Sequence, residues 1–149
     1  MTAVLPQTLS ASDYRAKPWS EPGTTQERLD ISIPVRLAPV VEQIMALLNL
    51  REGWNSYQAS RVQPAAVVAA LRLLTAVDWS GPLPSVAPTL RGGIQLEWGN
   101  DDDGVEIVFG PQGSLSALVD LHGEMTEFAI ASLDDPALHE VLIWAEKLA

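Results

Sequence analysis

Near residue 94 the hydrophobic pattern of this chain changes period, from helical spacing to strict alternation, and that change limits the fold more than any other feature. Ile94, Leu96 and Trp98 alternate with Gln95 and Glu97, and Val105, Ile107 and Phe109 alternate with Glu106 and Val108. Leu115, Ala117, Val119 and Leu121 alternate with Ser114, Ser116, Leu118 and Asp120, and a further run extends from Met125 to Ala131. The spacers are turn chemistry: Gly-Asn-Asp-Asp-Asp-Gly at 99–104, Gly-Pro-Gln-Gly at 110–113 and His122-Gly123. Spacers this short join antiparallel neighbours, so the pattern predicts a four-stranded antiparallel meander with one buried face.

Helical spacing precedes the switch. Val40, Val41, Ile44, Met45, Leu47 and Leu48 predict a helix from about Pro39 to Leu50, with Gly53 placed to end it. Val67, Val68, Leu71, Leu74 and Val77 predict a second helix from about Pro64 to Val77, opened by its proline. Residues 79–88, with three prolines and a glycine, read as an extended connection. After the strands, Asp134, Asp135 and Pro136 mark a helix start and Lys147 lies near its end. Its stripe of Leu138, Val141, Leu142, Ala145 and Leu148 is expected to lie across the sheet. The expected fold class is α+β: two N-terminal helices, a four-stranded antiparallel meander and a C-terminal helix packed on the sheet. Residues 1–30 read as a flexible arm rich in polar residues, with Tyr14 and Trp19 isolated among them, and 31–149 as one α+β domain. Ile31, Ile33 and Val35 suggest a short strand that Pro34 confines to an edge.

At 149 residues the chain is long enough to bury a core without covalent staples. It has no cysteine, which excludes disulfides, thiolate metal sites and thiol nucleophiles. The first residues lack the basic start and apolar run of a signal peptide, and nothing approaches the ~18 consecutive apolar residues of a membrane span. A net charge of −10 argues against nucleic-acid backbones and anionic membranes as partners. The expected location is cytoplasmic.

That charge is divided unevenly. Residues 1–91 balance at +1, whereas residues 92–149 carry twelve Asp or Glu and one cation, Lys147. A segment so charged repels itself, and the same field steers a cationic partner. The candidate binding residues are Glu97, Asp101, Asp102, Asp103, Glu106, Asp120, Glu124 and Glu127.

A second group of residues forms a motif. Leu50-Arg-Glu-Gly-Trp-Asn-Ser-Tyr57 is followed by Pro64, then Pro88-Thr89 and Gly92-Gly93-Ile-Gln-Leu-Glu-Trp98. Read as architecture, Gly53 supplies a left-handed turn, Trp54 covers an end of the core, and Asn55 and Ser56 bond the local backbone. Read as a site, Trp54 and Tyr57 join the binding candidates. The segment resembles a group of small, poorly characterised bacterial proteins that share a Leu-x-x-Gly-Trp-(Asp/Asn)-x-Tyr turn and a Gly-Gly-(Val/Ile)-Gln-Leu-Glu-Trp strand. The resemblance covers about Leu50 to Phe109 and implies a fold unit, with no activity attached.

Other chemistry is sparsely signalled. Glu97 and Glu106 would share the outward face of adjacent strands, the raw material of acid–base work, but no histidine or nucleophile accompanies them. Asn100–Gly104 lacks the alternating ligands of a calcium loop. His122 and His139 lack metal-ligand spacing, and neither a phosphate loop nor a Gly-x-Ser-x-Gly elbow occurs. No metal or cofactor is expected. The reading is a non-enzymatic, acidic protein-binding module of antitoxin, immunity, inhibitor or adaptor type that engages a basic protein. The alternatives are a carboxylate-based enzyme and a structural subunit that homo-oligomerises through residues 1–30.

Overall fold

An antiparallel meander of five strands, not four, forms the centre of the molecule, in the order β3-β4-β5-β6-β7. The computed structural model describes residues 8–10 and 32–148. A two-stranded ribbon joins β1 (Thr8–Ser10) to β2 (Ser32–Pro34), so three residues of the expected arm are paired. The rest of the segment before residue 32, including Tyr14 and Trp19, lies outside the described residues, as does any oligomer contact made through it. Then come α1 (Ala38–Ala46), α2 (Pro64–Ala76), β3 (Ser85–Pro88), β4 (Ile94–Gly99), β5 (Asp103–Phe109), β6 (Leu115–Leu121), β7 (Glu124–Ile130) and α3 (Pro136–Lys147).

The additional strand is β3, which lies within the segment expected to be a connection. Its prolines bar it from the middle of a sheet but suit an edge, and it pairs with β4 from Ser85↔Glu97 to Pro88↔Ile94. The segment leading into it is held by Pro82, whose carbonyl accepts from the indoles of both Trp79 and Trp98, at 2.8 and 2.9 Å. Those rings pack with centroids 5.3 Å apart. Arg36 donates to the carbonyls of Trp79 and Gly81 and ties the same segment to the start of α1.

The first helix is shorter than its periodicity suggests. It ends at Ala46, tightens into a 3-10 turn at Leu47–Asn49, and becomes extended at Leu50. Gly53 therefore does not end the helix but begins the following loop, with its N–H donating to Ala59 O at 2.8 Å. In α2 the buried residues are Ala66, Val67, Ala70, Leu73 and Leu74, whereas Val68, Leu71 and Val77 are only partly buried. A helix this apolar all round leaves its inward face undecided by periodicity. Small alanines turn inward because they let the helix approach the sheet closely. In α3 the inward stripe is Leu138, Val141, Leu142 and Ala145, with Leu148 also buried just beyond its end. Asp135 caps this helix by accepting from Ala137 N–H at 2.9 Å.

All three helices pack with one face of the sheet in a single core that includes Ile94, Leu96, Trp98, Val105, Ile107, Phe109, Ala117 and Val119. Among the described residues the opposite face carries no helix.

Candidate functional site

Register fixes what the open face displays. One row of directly opposed residues runs Ser85, Glu97, Glu106, Leu118, Glu127 across the five strands. A neighbouring row runs Ala87, Gln95, Val108, Ser116, Ala129, and on the other side Gly104, Asp120 and Met125 stand in line. Glu97, Glu106, Asp120 and Glu127 thus share one face, because all occupy the outward parity of the pleat.

At one end this face sinks into a depression of about 370 Å³, lined by Glu97, Glu106, Asp103 and Asp120, with Ser85, Asn100, Leu118 and Met125 among its walls. Three open-face carboxylates, Glu97, Glu106 and Asp120, therefore border a concavity whose apolar lining includes Leu118 and the exposed Met125. Glu97 directly opposes Glu106 across β4 and β5, an arrangement that like charges disfavour. Partial burial pushes the Glu106 carboxyl above its ordinary value, and the neighbouring Glu97 pushes it further. Gln95 donates to Glu97, and among the described residues no other side chain bonds to either carboxylate.

Among the described residues no Lys or Arg pairs with these carboxylates, and the His122 ring lies 3.7 Å from Asp103. Lys147, the one cation of residues 92–149, lies over the ring of Trp144 at 5.0 Å on α3. No group of three or more potential metal ligands occurs among the described residues. Leu118 and Met125 supply apolar surface beside these carboxylates.

The remaining acidic candidates are dispersed. Asp101 and Asp102 lie at the exposed tip of the β4–β5 turn, which Asn100 organises by accepting from the N–H groups of Asp102 and Asp103, each at 2.9 Å. Asp103 stands on the helix-side parity and accepts from His122 N–H at 3.0 Å. Glu124 opposes Leu121, also on the helix-side parity, so it is exposed but separated from Glu127 by the sheet itself.

Trp54 and Tyr57 do not line the depression. Trp54 is partly buried and donates to Ser60 O at 3.2 Å, while Asn55 Oδ1 accepts from the N–H groups of Tyr57 and Ala59. The loop is then fastened to the β3–β4 turn: Ser60 N–H donates to Leu90 O and Gln63 N–H to Gly92 O. Gly92 has φ +92°, and a Cβ there would stand 2.8 Å from Arg61 O. The motif residues are thus a clip between a loop and a turn, with Tyr57 left exposed. No family model, curated protein or solved structure matches the chain.

Sequence reasoning missed Ser85, Asn100, Leu118 and Met125 as walls of the depression. Leu118 and Met125 were open to detection, because both sit at outward positions of alternating strands. Ser85 was not, since its segment carries no alternation. A second concavity of about 480 Å³, lined by Arg72, Phe109, Leu115, Ile130 and Leu133 among others, lies at the other end of β5 and β6.

Proposed function

We propose that the protein is a non-enzymatic binding module, of antitoxin, immunity, inhibitor or adaptor type, whose open sheet face receives basic side chains of a protein partner. The observation that carries this reading is the Glu97–Glu106 pair: two carboxylates directly opposed on the open sheet face, with no Lys or Arg paired to them among the described residues. Such a pair weakens the isolated fold, and a cation supplied from outside relieves it. The surrounding acidic half would speed encounter with such a partner, and the attraction would fade with added salt.

The test is calorimetric titration of the full chain with an octalysine peptide at low and at physiological salt. Wild type is expected to bind with a steep salt dependence, and the Glu97→Gln/Glu106→Gln double variant to bind several-fold more weakly with a shallower one. Equal affinity in the two proteins would overturn the reading.

The raised Glu106 carboxyl, directly opposed to Glu97, also favours a second reading, a carboxylate-based enzyme in which Glu106 is the proton donor. That reading requires bound substrate between Glu97 and Glu106, and it predicts that Glu106→Gln abolishes turnover without weakening octalysine binding.

A further inference from the structure

The two edges of the sheet are guarded very differently. The β3 edge is four residues long, contains Pro88 and follows Pro84. Proline removes the donors that a foreign strand would need. The β7 edge is seven residues long, with neither proline nor lysine. Among the described residues it pairs with β6 alone.

Which backbone groups face outward follows from the turn that begins β7. His122 and Gly123 have φ of 54° and 87°, a two-residue hairpin turn of the kind that positive φ at both positions allows. Such a turn closes by a hydrogen bond between the residues that flank it, so Leu121 and Glu124 bond each other. Along an antiparallel ladder the bonding alternates, so Thr126, Phe128 and Ile130 bond β6, whereas Met125, Glu127 and Ala129 turn their N–H and C=O groups away from it. Ala131 continues this outward series, and its N–H is taken by Asp135 Oδ2 at 2.9 Å. The three donors before it have no acceptor among the described residues. The same three residues place their side chains on the open face, beside the acidic rows.

We infer that β7 is a docking edge for an extended segment of the basic partner, which adds a sixth strand to the sheet. This rests on the reading of the open face as a receptor for basic side chains, and it specifies how the partner is held. The added strand takes its backbone bonds from Met125, Glu127 and Ala129, the main-chain mode of recognition by strand addition. Its side chain opposite Glu127 falls in the row of Glu106 and Glu97, and the one opposite Met125 falls in the row of Asp120. Both therefore carry positive charge. The residue between them lies opposite Thr126, which is exposed on the helix side, so its side chain is not specified; the residue opposite half-buried Phe128, on the other side of the one facing Glu127, is apolar. The recognised pattern, opposite Met125 to Phe128, is basic, unspecified, basic, apolar.

A second copy of the chain is a poor occupant of this edge. Antiparallel pairing of two β7 strands centred on Glu127 would oppose two like carboxylates, on molecules that each carry a net charge of −10. The same glutamate that repels a copy attracts a basic strand, so the charge on this edge selects its partner.

The experiment uses the full chain and three synthetic probes: an alternating lysine–valine octapeptide, its counterpart N-methylated at alternate amides, and an octapeptide of the same composition with the lysines in one block. The alternating peptide is expected to bind at least about tenfold more tightly than the N-methylated one, because three ladder bonds are at stake. Ala129→Pro removes one outward donor without changing charge and without touching a bond to β6. It is expected to weaken the alternating peptide several-fold and leave the block peptide unchanged. If N-methylation and Ala129→Pro are silent while Glu97→Gln/Glu106→Gln weakens every probe, the edge proposal fails and the acidic face stands. If no probe binds, both fail. If wild type sediments as a dimer that Ala129→Pro converts to monomer, the occupant is a second copy and the proposal is overturned.

Discussion

The two faces of one sheet divide the work of this molecule. On the helix side, Ile94, Leu96, Val105 and Ile107 are fully buried against residues such as Leu138 and Val141 of α3. On the open side, the alternate residues of the same strands are Gln95, Glu97, Glu106 and Val108, all only partly covered. The period of two makes this separation possible, since each strand buries one set of side chains and displays the other. Negative charge accumulates on the open face because water still solvates most of it there. The penalty concentrates at Glu106, the member of the pair whose acidity the protein visibly perturbs.

The largest test of this division is on the covered side. Leu138→Ala empties a site that is 1% exposed and is expected to cost about 2–5 kcal/mol, read as a lower denaturant midpoint at unchanged slope. Met125→Ala, on the open side at 64% exposure, should leave the midpoint nearly unmoved. Comparable losses in the two variants would mean that the open face is covered by something in the folded protein and would break the contrast.

Much of this was legible in the sequence, and the exceptions have causes. The strands from Ile94 onward are legible because alternation and turn residues agree, and α3 is legible because capping, proline and stripe agree. β3 is not, because an edge strand with prolines has no alternation to show and exists only through its pairing with β4. The inward face of α2 is hidden by a helix that is apolar nearly all round. The shared face of Glu97, Glu106, Asp120 and Glu127 follows from parity, whereas the depression depends on Ser85 and the β4–β5 turn, which only the assembled sheet brings together. Glu124 is misplaced by composition alone: it counts toward the acidic half, yet parity puts it on the helix side.

An intermediate effect is expected where the two faces meet the β3 edge. Trp98→Phe keeps a buried aromatic ring and removes the indole donor to Pro82 O. Because Trp79 also donates to that carbonyl, the acceptor stays satisfied, and the loss should be about 1–2 kcal/mol, most of it from the space that the smaller ring leaves in the core. A loss several times larger, with β3 amides exchanging freely, would show that the shared carbonyl is what holds this edge in the sheet.

The smallest effect is the most informative about the open face, and its sign is opposite. Glu106→Gln removes one of two opposed like charges and is expected to stabilise the protein at neutral pH, by about 0.2–1 kcal/mol from the range for cross-strand pairs. Its pH dependence is fixed by the direction of the shift. The folded Glu106 carboxyl titrates above its ordinary 4.5, so the ionised group penalises the fold fully at higher pH. As pH falls through the raised value, wild type takes up its proton first in the folded state and the penalty lessens, until it is gone below about 4.5. The advantage of the variant should therefore shrink as pH falls and vanish in acid. Asp135 acts in a separate window with the reverse sign. Hydrogen bonds from the N–H groups of Ala131 and Ala137 hold it below its ordinary 3.8, so its contribution is present above about 3.8 and lost as pH drops through the lowered value. Unfolding midpoints of wild type, Glu106→Gln and Asp135→Ala from pH 7 down to pH 3 separate the two. An advantage of Glu106→Gln that persists below pH 4 would mean that packing, not repulsion from Glu97, is what the substitution relieves, and the open face would lose the observation that marks it as a receptor for positive charge.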